Sequence, residues 1–176
     1  MAYEELQLPR MLQVRQIFDV PPEVEPAAAV DHAFSGIAEE LTRLAGMKIA
    51  VCVGSRGIDG IAPIVNRAVA RLKGAGADVF VMPAMGSHGG ATIDGQIEVL
   101  AHRGITEESV GCRITGSMEV VCIGETSDSI PLFINRLAHE ADALCIINRV
   151  KPHTNFIGAT ESGILKMASI GLGNQV

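Results

Sequence analysis

The chain has 176 residues, of which 48% are hydrophobic, and its formal net charge is −6. This length predicts a single domain, and the apolar fraction is sufficient for a sizeable core. A nucleic-acid-binding surface needs clustered Lys and Arg, and the acidic balance, without any basic run, excludes that class. The first residues lack the apolar segment of a signal peptide, and no stretch approaches the ~20 apolar residues that cross a bilayer. We therefore expect a cytoplasmic protein with no membrane partner.

The first half of the chain alternates short apolar runs with amphipathic segments. Apolar residues at positions i, i+4, i+7 and i+8 after residue 61 are typical of one helix face. Thr92 is placed to cap the next helix, which Gly104 ends. The predicted elements are a strand at 11–18 within an N-terminal strand and linker at 1–25, a helix at 27–46, a strand at 48–53, a helix from 61, a strand at 78–83 and a helix from 93.

The second half continues this alternation, with one or two strands predicted between residues 112 and 125. Pro131 suits the first turn of a helix, which we expect to extend to residue 141. A buried strand at 143–150, a loop at 151–162 and a short helix at 163–173 complete the pattern. Continuous apolar strands between helices indicate an α/β layered fold with a mostly parallel, doubly wound sheet and helices on both faces. Its crossovers should be right-handed.

Four cysteines, Cys52, Cys112, Cys122 and Cys145, are widely spaced and form no C-x-x-C pair. Free cysteine commonly behaves as a small buried hydrophobic residue. We predict that role for all four, with metal or redox work as the alternative.

Three predicted strands end in loops that contain glycine or proline and carry cationic or titratable side chains. These loops hold Arg56, His88, and the group of Arg149, Lys151 and His153. Ligands of open parallel sheets bind outside the carboxyl ends of the strands, where helix N-termini also favour anions. We therefore expect Arg56, His88 and His153 to lie at the same edge of the sheet.

The loop "AMGSHGGA" allows two interpretations. His88 is either an exposed turn residue or a ligand-facing residue whose glycine neighbours, Gly86, Gly89 and Gly90, permit a close backbone approach. The loop is neither a dinucleotide-binding fingerprint nor a Walker A loop, because the further residues of those motifs are missing.

Two imidazoles facing one small ligand can act as acid and base in turn. An arginine beside them can bind a carboxylate through paired hydrogen bonds. This set suggests racemisation or epimerisation of a hydroxy or amino acid. Lys166 is an anion contact, a covalent anchor or only a solvated helix residue, and the remaining histidines, His32, His102 and His139, are expected to be surface residues.

The motifs "GSRGI", "PAMGSHGG" and "RVKPHTNFIGATESGILKM" together resemble the lactate racemase family, the nickel-pincer-nucleotide-dependent 2-hydroxyacid racemases and epimerases. The resemblance implies an isomerase in which His88 and His153 are the acid/base residues of a reversible hydride transfer. It implies that Lys166 carries the cofactor through a thioamide linkage, and that Arg56, Ser87 and Gly89 help to bind it. Where well-studied members have an Asp-His-Thr-Arg-Pro type of loop, this chain has "VGSRGI", so only the arginine matches there.

The same resemblance implies that residues 1–176 are the N-terminal domain of a longer enzyme. The nickel-ligating histidine would follow residue 176, so we assign no metal ligand to this chain and expect it to be inactive by itself. Its partners would be a C-terminal domain and a small 2-hydroxy acid. We also expect an exposed apolar surface at Ile164, Leu165 and Ile170. A metal-free domain that binds phosphate or another small molecule, and a non-catalytic binding module, remain alternatives.

Overall fold

The computed structural model describes residues 10–20, 22–155, 157–158 and 161–174. Three parallel strands form its central sheet: β1 (Lys48–Val53), β2 (Asp78–Pro83) and, later in the chain, β5 (Ala143–Ile147). Their order is β2–β1–β5, so β1 lies in the middle. All five residues of β1 after Lys48 are buried. The continuous apolar run "IAVCV" is what a strand covered on both faces requires.

Successive residues of β1 and β2 face two separate halves of the core. Val51 packs on one face with Val65 and Val69 of the long helix between β1 and β2. Cys52 packs on the other face with Ala138, in a short helix just before β5. The helices in chain order are α1 (Pro26–Ser35), α2 (Ala38–Leu41), α3 (Ile61–Gly74), α4 (Ile93–Ala101), α5 (Glu107–Val110), α6 (Arg136–His139) and α7 (Ile164–Lys166), which continues as a π-helical turn (Met167–Gly171). The predicted α/β layered fold with helices on both faces is confirmed.

The chain reverses direction across the sheet at β1. From β1 it crosses through α3 to β2 on one side, and it later returns to β5 on the other side. The carboxyl ends of β1 and β5 therefore lie at a topological switch point, the usual ligand-binding position in open α/β sheets. A separate antiparallel hairpin, β3 (Val120–Glu125) and β4 (Pro131–Asn135), precedes the return.

The predicted helix from Pro131 is wrong in its first turn. Residues 131–135 form β4, in which Phe133 pairs with Cys122 of β3. Phe133 is aromatic and Ile134 is β-branched, and both residue types suit a half-buried strand. The helix begins only at Arg136, where the Asn135 side chain accepts a hydrogen bond from the backbone N–H of Leu137 at 2.9 Å.

The helix predicted over 27–46 is divided in two, since α1 ends at Ser35 and α2 begins at Ala38. Gly36 stands at the break, and glycine weakens a helix interior by about 1 kcal/mol relative to alanine. The Glu25 carboxylate caps α1 by accepting from the N–H groups of Ala27 and Ala28.

The strand predicted at 11–18 is also wrong. Residues 10–20 have no regular secondary structure, and their apolar side chains are exposed. Alternating residues favour a strand only where a neighbouring strand pairs with them, and no strand of the described chain does so. The first nine residues and the last two lie outside the described part, so the predictions that fall on them are not decided. None of the helices in the described ranges is long and apolar enough to cross a membrane.

The C-terminal helical segment, residues 164–171, covers one side of the core and also has an exposed apolar surface. Met167 and Leu172 are buried against the β1 and β2 face that contains Cys52. Ile164, Leu165 and Ile170 are each about 60% exposed (59%, 60% and 59%), as the sequence predicts.

Candidate functional site

A cavity opens where the loops after β1, β2 and β5 meet the C-terminal helical segment. Its interior volume is about 110 Å³, and it is partly open to solvent. Its polar lining residues in the described chain are Ser55, Arg56, His88, Asn148, Arg149, Lys151, Ser162 and Lys166. The cavity thus occupies the switch point between β1 and β5 and takes residues from all three strand-end loops.

The charge of this cavity is opposite to that of the chain. Four of its lining side chains are cationic, namely Arg56, Arg149, Lys151 and Lys166, and none of the described lining residues is Asp or Glu. The whole chain carries a net charge of −6. Cations gathered in a cleft with no carboxylate to pair with them make a site for an anion.

His88 contacts the cavity with its ring held by a neighbouring loop. The Oγ atom of Ser55, two residues after β1, lies 2.5 Å from Nδ1 of His88. His88 itself is five residues beyond β2 and exposed. One side chain from each of two adjacent strand ends therefore forms this contact.

The backbone of the His88 loop packs tightly against the protein. Gly86 and Gly89 both have positive φ angles, +60° and +63°. A Cβ on Gly89 would lie 2.6 Å from the backbone of Gly95 in α4, and one on Gly86 would lie 3.0 Å from the carbonyl of Ile170. These two glycines therefore allow close packing of the protein's own backbone, and their approach to a ligand stays a prediction.

Gly90 differs from the other glycines of this loop, because a Cβ added to it would have no heavy atom of the described chain within 4 Å. Ser87 is exposed, and neither Ser87 nor Gly89 is among the described residues that line the cavity. Of the residues expected to bind a cofactor, the structure brings Arg56 and Lys166 into the cavity together with His88.

The side chain of Gln96 in α4 holds this loop through hydrogen bonds. Its side chain is 1% exposed, and its amide nitrogen donates to the carbonyl of Gly86 at 2.8 Å and to that of His88 at 3.3 Å. A buried amide that bonds to two loop carbonyls restrains the loop, because losing its bond to Gly86 leaves that buried carbonyl unpaired.

His153 leaves the same edge of the sheet, six residues after β5, but it is not among the described residues lining the cavity. Its Nδ1 accepts a hydrogen bond from the N–H of Asn155 at 3.1 Å. Its backbone N–H donates to Glu161 at 2.7 Å, and that of Gly158 donates to the same carboxylate at 3.1 Å. The N–H groups of His153 and Gly158 hold the pKa of Glu161 below its ordinary value of 4.5.

Comparison with protein families decides the relationship of the chain. Residues 5–173 match the family described as "Lactate racemase N-terminal domain". The chain belongs to this family. A comparison with curated proteins gave no match. The resemblance of the three motifs to the lactate racemase family is thus confirmed at the level of this N-terminal domain.

In this lactate racemase N-terminal domain, the other histidines lie away from the cavity. His32, His102 and His139 do not line it, and all three are exposed, as predicted. His102 lies 3.8 Å from Glu98 on the outer side of α4. No group of three or more His, Cys, Asp or Glu residues in the described ranges is arranged to hold a metal ion.

The cysteines of the domain are free thiols in different surroundings. Burial raises the pKa of the Cys52 thiol to about 12, and burial also raises the pKa of Cys145 and of Cys112. The prediction of a buried residue holds for Cys52 but is wrong for Cys122, which is exposed on β3.

Sequence reasoning missed two polar residues that build the site. Ser55 precedes Arg56 in the loop after β1, and in the sequence only the charged Arg56 indicates a functional residue there. Gln96 lies three residues after Ile93 and four before Leu100, so it shares their apolar helix face. A polar residue on a buried face is a signal that it has a specific hydrogen-bond partner.

Proposed function

We propose that this lactate racemase N-terminal domain supplies the substrate-binding and acid/base groups of a 2-hydroxyacid racemase or epimerase. The observation that carries the proposal is the cavity at the switch point, where four cations and His88 line a cleft with no described acidic residue. A 2-hydroxy acid offers a carboxylate to the cations and a hydroxyl proton to the imidazole. In this proposal the domain acts in the cytoplasm with a C-terminal domain as its partner.

Arg56 is the residue we assign to the substrate carboxylate. It follows β1, the central strand, and shares the cavity with His88. A guanidinium binds a carboxylate through two parallel hydrogen bonds, which fixes both position and orientation. That orientation places the hydroxyl group of the acid for proton exchange with a ring nitrogen.

His88 serves as one acid/base group and His153 as the other in this proposal. Exchange between two enantiomers requires a proton acceptor on each side of the α-carbon. His88 lines the cavity, whereas His153 follows Lys151, a cavity residue, by two positions. The proposal therefore includes a shift of the loop at 151–155 that brings His153 to the bound acid.

The side chains that line the cavity support a proposal for the cofactor that the family implies. Lys166 lines it with a primary amine that has no hydrogen bond or ion pair within the described chain, and Arg149 and Lys151 add two cations for a phosphate. We propose Lys166 as the attachment point and these cations as the phosphate contacts of a nickel-pincer nucleotide. When bound, this group would supply the acceptor for hydride from the substrate α-carbon. The protein residues bind and orient the acid, and His88 and His153 exchange its hydroxyl proton.

The proposal is tested on the complete enzyme, co-expressed with the enzymes that make the cofactor. We expect intact-mass and metal analysis to show an adduct on Lys166 and bound nickel. His88→Ala should lower the interconversion of 2-hydroxy acids by about 10²–10⁴-fold, the usual contribution of a general acid or base. His102→Ala, an exposed histidine on the outer side of α4, is the matched control and should change the rate little. A fully loaded His88→Ala enzyme within a few-fold of wild type would contradict the proposal.

A metal-free phosphate-binding domain is a second candidate, because the same cations suit any phosphorylated small molecule. It predicts no adduct on Lys166 and no nickel after co-expression. It also predicts tight binding of phosphorylated ligands that does not depend on His88.

A further inference from the structure

The hydrogen bond between Ser55 and His88 determines which nitrogen of the His88 ring is available in the cavity. The Oγ atom of Ser55 lies 2.5 Å from Nδ1 of His88, within hydrogen-bond distance. Both residues line the cavity. Within the described ranges Nε2 of His88 has no hydrogen-bond partner. Nε2 is therefore the nitrogen available to a bound molecule.

The position of the His88 backbone is already fixed by other contacts. Gln96 binds the carbonyls of Gly86 and His88, and the N–H of His88 donates to the carbonyl of Met85 at 3.2 Å. What remains free is rotation of the side chain. The contact with Ser55 restrains that rotation.

The proton of a neutral imidazole lies on the nitrogen that its surroundings favour. A serine hydroxyl can donate or accept, so Ser55 by itself permits either tautomer of His88. The cations in the cavity, Arg56 and Lys166 among them, favour the arrangement in which a lone pair faces them and the N–H points away. That arrangement places the proton on Nδ1, donated to Ser55.

His153 has the opposite arrangement. Its Nδ1 accepts from the backbone N–H of Asn155, and a backbone amide N–H can only donate. A neutral His153 ring therefore carries its proton on Nε2.

We propose that Ser55 is a positioning residue that accepts a hydrogen bond from Nδ1–H of neutral His88, so that an unprotonated Nε2 faces the cavity cations and serves as a base. The proton of a substrate hydroxyl then passes to Nε2, the ring becomes an imidazolium, and Nδ1–H continues to donate to Ser55. The return of the proton from Nε2 reverses the step. Neutral His153 is thus the other tautomer, and it can return a proton only as an imidazolium, once the Asn155 N–H no longer occupies Nδ1. The role as a base rests on the proposed function, whereas the tautomer does not.

The test is nitrogen-15 NMR of histidine-labelled protein with neutral imidazole rings, with the ring signals assigned by loss in His88→Gln. We expect a non-protonated Nε2 and a protonated Nδ1 in the wild type. Ser55→Ala should raise the population of the Nε2–H form several-fold, and Ser55→Thr, which keeps the hydroxyl, should retain the wild-type pattern. Ser35→Ala, on α1, is the control and should leave the signals unchanged. Backbone amide signals of β1 and β2 report that each variant is folded.

A wild-type ring protonated on Nε2, or the same tautomer in wild type and folded Ser55→Ala, would overturn the proposal. In the loaded enzyme Ser55→Ala should lower kcat roughly tenfold with little change in KM, the order expected for one lost orienting hydrogen bond, and Ser55→Thr should restore it. An active His88→Ala enzyme would defeat the proposed function without altering the NMR result. A failed NMR result with an inactive His88→Ala enzyme would exclude only the role of Ser55.

Discussion

The loops that carry His88 and His153 leave the same edge of one sheet but are held by different means. The His88 loop packs its glycine backbone against α4 and the C-terminal helical segment, and buried Gln96 binds two of its carbonyls. The described part of the His153 loop is mostly exposed, and the Glu161 carboxylate holds two of its N–H groups. One histidine is thus positioned by the core and the other by a surface contact.

This difference bears on the proposed function, which requires His153 to approach a bound acid. A preorganised loop places its catalytic group before the ligand arrives, and a loosely held loop can move towards the ligand afterwards. We infer that His88 defines the site and that His153 is the group that moves.

The largest effect should follow from a side chain at Gly89. Its added Cβ would lie 2.6 Å from the α4 backbone at a φ of +63°, so overpacking and backbone strain add together. We expect Gly89→Ala to lower the free energy of unfolding by about 3 kcal/mol or more, measured by urea denaturation. Gly90→Ala has a similar φ of +66° but open space around it, and should cost only about 1 kcal/mol. Equal losses in the two variants would show that the loop is not packed as described.

A smaller effect should follow from Gln96→Leu. The substitution keeps the apolar contacts of α4 but removes the side-chain donor to the carbonyls of Gly86 and His88. The His88 carbonyl still accepts from the N–H of Ala91. We expect a loss of about 1–3 kcal/mol in the free energy of unfolding, with faster amide hydrogen exchange in residues 86–90. Asn66→Leu removes an exposed side-chain hydrogen bond to Ser109 on α5 and should cost less. A Gln96→Leu protein as stable as wild type would break the contrast between the two loops.

The smallest effect concerns Glu161 and acid. Because the N–H groups of His153 and Gly158 lower the pKa of Glu161 in the folded protein, its contribution is present above the unfolded value. That contribution is lost as the pH falls through the lower, folded pKa. We expect the amide signals of His153 and Gly158 to shift together below about pH 4.5, while those of the His88 loop stay in place.

Glu161→Gln should abolish this coupled shift, and Glu140→Gln, an exposed residue beyond α6, should leave it intact. Titration of the His88 loop in the same range would contradict the separation of the two loops.

The sequence predicted the parts of the fold that depend on long apolar patterns. The apolar runs of β1 and β2 and the apolar face of α3 are recognisable in the sequence, because a buried face needs many apolar residues at a fixed period. Residues 131–135 did not, since Pro131 suits both the start of a helix and an edge strand. Pairing with β3, which lies outside that local window, decided the outcome.

The site was predicted where its residues carry charge. Arg56, His88 and Lys166 stand out in loops at predicted strand ends or in the helix that follows, and the topology brings them together. The contact of Ser55 with His88 joins residues that are 33 positions apart in the sequence, and that of Gln96 with Gly86 joins residues that are 10 positions apart. No local sequence pattern reveals such contacts. The packing of Gly86 and Gly89 against the protein's own backbone was not predicted either, because a glycine in a sequence indicates close approach but not which atoms approach.

The central claim is that the cavity at the switch point is an anion-binding site, and titration of the isotope-labelled chain with inorganic phosphate tests it most directly. We expect amide shifts to cluster in residues 54–56, 84–88, 148–151 and 162–171. Arg56→Ala should weaken binding about tenfold or more, as expected for a lost hydrogen bond to a charged group. Arg113→Ala, in a separate surface cleft beside Lys73, should leave the affinity unchanged. Absence of binding, or shifts centred on Lys73 and Arg113, would contradict the account.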